Sequence, residues 1–314
     1  MYHFINMIKK ITLLTLLFGF TLNILADEGY EERERICPEV DKNYTKIEAG
    51  KFKSGSSLEE KQKIKPKIAG ILNIFEREPD LHEKETLEFE ISKKLVTQAE
   101  FRYFVRWTGH RSPSITMEEW EKQKKFFDFE ISPNFTFDKV EKYIWPGARF
   151  PENLGEHPVV LVSKKDAEKY AEWLSSQDGC KYRLPTADEL EKAIRGKDGR
   201  TYPWGNKWDS SYLNSGNWNG TSKVGEYEKD KSPYPYGLLD AMGNVMEWTA
   251  TESETNDKNI ISKTITKGCS WNSIPETCRT AFFREWDENT KHILIGFRLI
   301  REIPKKEIIE PPKS

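Results

Sequence analysis

The feature that most constrains the fold of this chain is the high frequency of turn-forming residues in its second half. Beyond Gly199, glycine, proline and asparagine interrupt short aromatic segments, as in Trp204-Gly205-Asn206, Gly216 to Gly220, Pro233 to Gly237, Gly243-Asn244 and Gly268. These residues favour turns over long helices and strands, so the pattern predicts irregular, loop-rich structure. Long loops in a compact domain usually need internal staples or bound ions, and they often carry function.

Three helix starts precede this region. Each has a capping box, in which a Ser or Thr side chain and an acid three residues later satisfy each other's free backbone N–H groups. The pairs are Thr97 with Glu100, Ser163 with Asp166, and Thr186 with Glu189. Apolar residues follow each box at helical spacing, which predicts three amphipathic helices. The first should end at Thr108-Gly109 and the third at Arg195-Gly196.

The composition fits a globular domain and does not fit a nucleic-acid-binding surface. Mean hydropathy is −0.73, yet 17 Phe, 12 Tyr and 10 Trp supply large apolar areas for a core. The 49 basic and 51 acidic residues are mixed along the chain, whereas a nucleic-acid surface needs clustered Lys and Arg. The five histidines are scattered and suggest no metal triad.

The N-terminus has the pattern of a secretory signal peptide. Lys9 and Lys10 precede an apolar run from Ile11 to Leu25, and Ala26 stands at the expected cleavage point. We predict a signal peptide over residues 1–26, a lead segment over 27–43, and export to the periplasm or cell surface. No transmembrane segment is expected after cleavage. The alternative is that the run stays uncleaved as an anchor.

Four cysteines would enter an oxidising compartment after export, where disulfides form. They are Cys37, Cys180, Cys269 and Cys278, and their spacings match no zinc template. Cys180 follows Gln177-Asp178-Gly179 on a turn that we expect to be exposed. The sequence leaves open whether Cys37 and Cys180 are bonded.

Several segments, in order, resemble the formylglycine-generating-enzyme (sulfatase-modifying-factor) family. They are Ile47 to Phe52, Val96 to Phe101, His157 to Val160, Tyr182 to Leu190, Tyr202 to Asn206, Gly243 to Thr249, Lys267 to Trp271, and Gly296-Phe297-Arg298. The resemblance covers one domain, residues 44–302, and leaves 303–314 as a tail. It implies an α+β, loop-rich variant of the C-type lectin fold that often binds calcium.

The resemblance also implies what the chain lacks. In active members, two cysteines in the loop after a Gly-Gly-Ser segment bind copper(I), which suits soft thiolates, and oxidise a sulfatase cysteine to formylglycine. The matching loop here, Asn272 to Thr277, contains no cysteine, and Met246 replaces a tryptophan of the family's Trp-Glu-Trp triplet. We therefore expect no copper cofactor and no activity of this kind.

Cys269 and Cys278 keep a second interpretation open. Cys269 stands at the second glycine of the family's Gly-Gly-Ser segment, nine positions before Cys278. The two could be a displaced copper-binding pair, a disulfide across a tight loop, or two separate buried thiols. The first arrangement would make the protein an oxidase that acts on a cysteine of a client protein.

Calcium is the cofactor that the resemblance favours. It takes carboxylate and carbonyl oxygens held in a loop. One family site matches Asp240, Gly243, Val245 and Glu247. The alternative is that the two acids only cap backbone N–H groups. A second family site begins at positions matching Asn214 and Ser215, but its other half is missing or reshaped between Asn217 and Ser222.

Two classes of function follow from these observations. The first is a non-redox binding or accessory protein of the cell envelope, and the second is the oxidase with rearranged thiols. The predicted ligand cleft lies between Glu247-Trp248 and a group comprising Trp271, Arg279, Phe282 and Arg284. Arginine beside aromatic rings suits a peptide or a small anionic ligand. The sequence does not identify that ligand or a protein partner.

Overall fold

The computed structural model describes residues 37–64, 78–124, 136–217, 219–227, 236–253 and 263–302. The predicted signal peptide (1–26), most of the lead segment and the tail (303–314) lie outside the described residues. Within the described ranges, no helix is long and apolar enough to cross a membrane.

Short helices and short strands alternate along the described chain, which confirms the predicted α+β class. The helices are α1 (Leu58–Ile64), α2 (Gln98–Thr108), α3 (Met117–Lys124), α4 (Phe137–Glu141), α5 (Lys164–Asp178) and α6 (Ala187–Arg195). The strands are β1 (Tyr44–Ile47), β2 (Gly50–Ser54), β3 (His82–Thr86), β4 (Phe89–Ser92), β5 (Lys181–Arg183), β6 (Met246–Glu252), β7 (Thr264–Lys267), β8 (Phe283–Trp286), β9 (Ile295–Gly296) and β10 (Ile300–Glu302). Single 3-10 turns span Ser210–Tyr212 and Pro275–Thr277. Between α6 and β6 the described residues contain only the first of these turns, as the punctuated sequence predicts.

All three predicted capping boxes form. At α2 the Thr97 hydroxyl accepts the Glu100 backbone N–H at 3.2 Å, and the Glu100 carboxylate accepts the Thr97 N–H at 2.8 Å. The same reciprocal bonds open α5 at Ser163 and α6 at Thr186. Gly109 ends α2 with φ at 71°, in the left-handed region that glycine adopts readily. Each N-cap contributes about 1 kcal/mol to stability.

The strands form two four-stranded sheets and one hairpin. One sheet has the order β1-β4-β10-β5 and is antiparallel throughout, so its last strand lies between two strands from earlier in the chain. The other has the order β8-β7-β6-β9, with β9 parallel to β6. The hairpin pairs β2 with β3. The domain is thus closed late in the chain, when β10 completes the sheet that β1 begins.

Two apolar cores support this framework. In the larger one, Phe101 of α2 stacks on Tyr170 of α5 with ring centroids 5.5 Å apart, and Phe297 packs edge-on against both rings. The smaller core is built on α6 and the loops around it. Its members include Leu190, Ile194, Leu213, Met242, Cys269 and Cys278.

A disulfide between Cys37 and Cys180 fastens the start of the described chain to β5 across 143 residues. Cys180 is only 3% exposed, so the exposed position that we predicted for it is wrong. The reason is tertiary: Arg301 of β10 lies against both sulfurs and donates to the Pro38 carbonyl at 2.8 Å.

Candidate functional site

The thiols that a copper site would need are absent, because Cys269 and Cys278 are joined by a disulfide with their Cα atoms 5.0 Å apart. The two residues are 1% and 0% exposed and pack in the smaller core. Together with the bond between Cys37 and Cys180, this disulfide accounts for all four cysteines of the sequence. Of the three arrangements that the sequence left open, the structure has the disulfide across a tight loop.

The loop that this disulfide closes is held by its own polar groups. The Ser270 backbone N–H donates to the Ser273 hydroxyl at 3.0 Å, and the Ser270 hydroxyl donates to the Asn272 amide oxygen at 2.7 Å. The Thr277 N–H donates to the Ile274 carbonyl at 3.0 Å within the 3-10 turn. The loop therefore offers hydroxyl and amide oxygens, which are hard ligands, and no sulfur.

The predicted cleft tryptophans lie in the interior. Trp248 is 0% exposed and its indole N–H donates to the Val162 carbonyl at 3.0 Å. Trp271 is 1% exposed and belongs to the same core. Phe282 is likewise buried. These rings support the fold from within and do not form an open binding surface.

Arg279, the predicted anion-binding arginine, is also interior, at 2% exposure. It forms a fully buried ion pair with Glu78 and donates to the Ser56 hydroxyl at 2.9 Å and the Glu276 carbonyl at 3.0 Å. Because Glu78 neutralises its charge, we do not retain Arg279 as a ligand-binding residue. Its observed role is to tie the disulfide loop to the segment that follows β2.

Arg284 on β8 is the predicted cleft residue that stays partly exposed. Its guanidinium carbon lies 5.5 Å from the centroid of the Phe282 ring. Burial, reinforced by the charge of Arg284, lowers the pKa of His292 to about 3. His292 is therefore neutral at physiological pH. Its Nδ1 accepts the Leu294 N–H at 3.2 Å, which places the ring proton on Nε2.

Arg284 adjoins a polar and aromatic group that sequence reasoning missed, through its strand partner Thr266 and through His292. The Trp286 indole N–H donates to the Thr266 hydroxyl at 2.9 Å, and the Met246 sulfur lies 4.0 Å from that hydroxyl. The His292 ring lies 5.6 Å from the Trp286 ring and 5.2 Å from the Trp120 ring. These residues come from four separate parts of the chain, so no local motif could have revealed them.

The predicted calcium ligand Glu247 is held by an arginine. Arg298 donates to both oxygens of the Glu247 carboxylate, at 2.7 and 2.9 Å, and the two residues are 0% and 1% exposed. Arg298 also donates to the carbonyls of Leu239 and Asp240, each at 3.1 Å. The Arg298 guanidinium thus links the Glu247 carboxylate to the loop at Leu239 and Asp240.

Asp240, the other acid of this loop, is buried without an ion pair among the described residues. Its carboxylate accepts the Gly225 N–H at 2.7 Å and the Asn244 amide at 3.4 Å. Burial raises the pKa of Asp240 to about 6, against the opposing effects of Gly225, Arg298 and Asn244. An incompletely compensated buried carboxylate is the kind of group that favours a cation nearby.

The two predicted calcium sites adjoin each other. The Asn214 carbonyl accepts the Asn244 N–H at 2.9 Å, while the Asn214 amide donates to the Gly220 carbonyl at 3.0 Å. A Cβ at Gly243 would lie 2.9 Å from the Asn214 carbonyl oxygen, so only glycine permits this approach. The Ser222 hydroxyl is buried and has no hydrogen-bond partner within the described ranges.

The two remaining predicted calcium positions are Val245 and Ser215. Val245 is buried in the larger core, and Ser215 is half-buried beside Asn214. Among the described residues, no group of three or more Asp, Glu, His or Cys side chains is placed so that it could hold a metal ion. A cation at this loop would therefore depend on amide, hydroxyl and carbonyl oxygens around Asp240.

Comparison with known proteins decides the family. The sulfatase-modifying factor enzyme 1-like domain matches residues 34–303. The chain belongs to this family. Inactive C-alpha-formylglycine-generating enzyme 2 of Bos taurus is 33% identical over 201 residues, which cover 56% of this chain and 63% of that protein. Formylglycine-generating enzyme of Mycobacterium tuberculosis is 28% identical over 291 residues, which cover 74% and 94%.

Solved structures of this type have the same fold. PvdO from Pseudomonas aeruginosa matches with a TM-score of 0.60 at 21% identity, over 82% of this chain and 94% of that one. CarF matches with a TM-score of 0.56 at 20% identity, over 83% and 98%. These matches confirm the predicted formylglycine-generating-enzyme-type fold. At such identities they carry information on the fold alone.

The residues of this sulfatase-modifying factor domain do not fit the copper site that activity in the family implies. Copper(I) prefers soft sulfur ligands, and both candidate sulfurs are bonded to each other inside the core. Calcium fits in part. Asp240 is a buried carboxylate beside further oxygen ligands, whereas Glu247 already shares both oxygens with Arg298.

Proposed function

We propose that this member of the sulfatase-modifying factor family is a non-redox binding or accessory protein of the cell envelope. The observation that carries the proposal is the fate of the cysteines: all four are paired in disulfides, and the loop from Asn272 to Thr277 supplies none. The family also includes a relative that is named inactive. A fold of this kind can serve binding once its reactive groups are lost.

The direct test counts thiols and copper in the purified protein. Alkylation under denaturing conditions, without reductant, should label no cysteine, and mass spectrometry of a digest should find Cys269 linked to Cys278. Copper(I) titration under anaerobic conditions should show no tight stoichiometric site. A free thiol pair with one tightly bound copper would remove the basis of the proposal.

The second candidate function is an oxidase that uses Cys269 and Cys278 after reduction. Its support is the position of Cys269 at the family's Gly-Gly-Ser segment and the direct contact of the two sulfurs. This function would require the buried disulfide to open and both thiols to move from the core to a cleft wall. Misplacement of a reacting group by about 1 Å can lower a rate about 100-fold, so such a movement is a demanding requirement.

For the binding role, Arg284 is the predicted cleft residue that best supports a peptide or small anionic ligand. It is half-buried, burial lowers the pKa of its guanidinium only to about 10, and its guanidinium carbon lies 5.5 Å from the centroid of the Phe282 ring. The neighbouring His292 is neutral, so the positive charge at this point is that of Arg284. A planar guanidinium suits two-point contact with a carboxylate. Arg284→Gln should weaken binding of a carboxylate-bearing ligand more than Arg284→Lys does, and equal effects would exclude this role.

Calcium at the Asp240 loop is proposed as a structural ion. Asp240 would supply the carboxylate. The candidate carbonyls are those of Gly243 and Val245, in the turn that the Asn244 side chain ties to Asp240, and that of Asn214, which accepts the Asn244 N–H. A ligand that binds only the folded state stabilises it by mass action, by about 2.7 kcal/mol at one hundred times the dissociation constant. Chelation should therefore lower the melting temperature of protein purified in calcium.

Export is proposed from the N-terminal pattern of Lys9-Lys10, the apolar run and Ala26. Intact-mass analysis of protein isolated from the native envelope should show a chain that begins at Asp27. Two disulfides in the native protein would agree with an oxidising compartment. Recovery of the full-length, reduced protein from the cytosol would exclude export.

A further inference from the structure

The sequence contains a single Asn-Gly pair, Asn219-Gly220, and the structure places it beside an ammonium group. Asn219 is exposed, and its side chain forms no hydrogen bond within the described ranges. The side-chain amide can therefore rotate toward the backbone nitrogen of the next residue. Because that residue is glycine, no side chain obstructs the approach to its nitrogen. The side chain of Asn219 is thus open to attack by its own backbone.

The backbone around this pair is fixed, but the nitrogen of Gly220 is not engaged. The Gly220 carbonyl accepts the Asn214 amide at 3.0 Å, and the Thr221 N–H donates to the Tyr143 hydroxyl at 2.9 Å. The Gly220 N–H itself donates to no group in the described part of the chain. Gly220 has a φ of 102°, and a Cβ there would clash with the Tyr143 hydroxyl, so the position requires glycine.

Lys142, the residue that follows α4, brings a positive charge to the peptide bond between Asn219 and Gly220. Its ammonium group donates to the Asn219 carbonyl oxygen at 3.3 Å. Burial lowers the pKa of Lys142, and no carboxylate among the described residues forms an ion pair with it. The Asn219 oxygen and the Gly220 nitrogen belong to one delocalised amide group. A charged donor on the oxygen therefore stabilises negative charge that develops on the nitrogen.

We propose that Asn219-Gly220 is a self-modification site, at which Lys142 promotes the deamidation of Asn219. The Gly220 nitrogen attacks the side-chain carbonyl carbon of Asn219, and the new N–C bond closes a succinimide ring. The Gly220 proton passes through solvent to the departing side-chain nitrogen, which leaves as ammonia. Water then opens the ring at either carbonyl and gives aspartate or isoaspartate. The reaction consumes only water and involves no oxidation or reduction.

The reaction adds a negative charge to the loop beside the two predicted calcium sites. Asn214 and Ser222, which flank the Asn-Gly pair, both bond Asn244. Conversion of Asn219 replaces a neutral amide in this loop by a carboxylate near the Lys142 ammonium, and isoaspartate also lengthens the backbone. The modified chain should separate from the parent as a more acidic species on ion exchange.

Peptide mapping of the purified full-length protein, incubated at mildly alkaline pH, measures the conversion of Asn219. Methylation by an isoaspartyl methyltransferase identifies the isoaspartate product. The same chain in urea supplies the reference rate, because unfolding removes Lys142 from the peptide bond. We expect Asn219 to convert in the folded protein at least as fast as in urea. Asn153 and Asn206 are matched controls, since they are exposed but precede Leu and Lys, and they should keep their amides.

Lys142→Met separates the effect of the charge from that of the Asn-Gly pair. In the folded protein it should lower the rate about fivefold, which corresponds to about 1 kcal/mol for a charge in a largely aqueous setting. In urea, parent and variant should react at equal rates. Lys142→Arg keeps a charged donor and should retain most of the folded rate. Unchanged melting temperatures would show that both variants fold.

The comparison of folded rates decides the proposal. Conversion of Asn219 in the folded parent at the urea rate or faster, together with slower conversion in folded Lys142→Met, supports it. A folded parent that reacts more slowly than the unfolded chain overturns it, because the loop would then protect the pair. Equal folded rates for the parent and Lys142→Met also overturn it, because Lys142 would have no part in the reaction.

Discussion

Asp240→Asn is expected to stabilise the calcium-free protein at neutral pH. Asp240 is 1% exposed and lacks an ion pair in the described part of the chain, and burial raises its pKa to about 6. The substitution removes a buried charge and keeps an oxygen that can accept the Gly225 N–H, while it gives up the longer bond from the Asn244 amide at 3.4 Å. Asparagine is also well suited to this position, because Asp240 has a φ of 47° and asparagine tolerates the left-handed region.

The size and sign of the effect follow from the two protonation states. A carboxyl whose pKa rises from 3.8 to about 6 on folding binds its proton more tightly in the folded state. The raised pKa contributes up to about 3 kcal/mol to the free energy of unfolding relative to the ionised state. This contribution is fully present below about pH 4 and is lost as the pH rises through about 6. Asparagine carries no charge to bury. The variant should therefore exceed the parent by up to about 3 kcal/mol at pH 8 and by about 1 kcal/mol at pH 4.5.

Urea unfolding in EDTA at both pH values measures this difference, and Asp166→Asn supplies a matched control. Burial alone would raise the pKa of Asp166, but the hydrogen bond from His110, the charge of Lys291 and the Ser163 cap outweigh it and hold that pKa well below its usual range. Asp166→Asn should therefore destabilise the protein at pH 8, and the loss should shrink as the pH falls. The two aspartates thus give opposite signs in the same assay.

Calcium should reverse the order for Asp240. If Asp240 supplies the carboxylate, saturating calcium stabilises the parent and leaves the stability of Asp240→Asn unchanged. The parent should then be the less stable protein in EDTA and the more stable one in calcium. An Asp240→Asn variant that is less stable than the parent in EDTA at pH 8 would refute the argument about the buried charge. Equal responses of both proteins to calcium would remove Asp240 from the site.

Further substitutions test the buried ion pair and the disulfides. Arg298→Met should cost about 3–5 kcal/mol because it leaves Glu247 as an uncompensated buried charge, and Glu247→Gln in the same chain should recover part of the loss. Urea unfolding of the single and double variants measures both effects, and an undiminished loss in the double variant would contradict the charge argument. Cys37→Ser should lower stability by up to about 5 kcal/mol and Cys269→Ser by about 3 kcal/mol, since the first disulfide closes a loop of 143 residues and the second a loop of 9. Calorimetry would test this order, and a larger loss from Cys269→Ser would mean that chain entropy does not dominate.

Local features of this fold could be predicted from the sequence, and the non-local ones could not. The capping boxes at Thr97, Ser163 and Thr186 each involve residues three positions apart, so they can be identified from the sequence alone. The insertion of β10 between β4 and β5 depends on contacts between distant parts of the chain, and no local sequence pattern predicts it. The burial of Cys180 failed as a prediction for the same reason, since Arg301 covers it.

The candidate site shows the same division. The absence of cysteine from the loop at Asn272 to Thr277 was evident in the sequence and is the basis of our expectation that this loop holds no copper. The partners of the charged residues were not evident, because Glu78 meets Arg279 across 201 residues and Glu247 meets Arg298 across 51. Arginine was assigned to a ligand cleft because its type and neighbours suit anions. An internal carboxylate can pair with the guanidinium in place of a ligand, as Glu78 does with Arg279, and only the fold shows which partner the arginine has.

The most direct test of the central claim is conversion of a sulfatase peptide. Purified protein, with and without prior reduction, would be incubated with copper, oxygen, reductant and a peptide of the Cys-x-Pro-x-Arg type, and mass spectrometry would follow the loss of sulfur. We predict no formylglycine under either condition, because the loop has no thiolate and the disulfide sulfurs lie in the core. Turnover that disappears in Cys269→Ser or Cys278→Ser would contradict this account and would establish the oxidase.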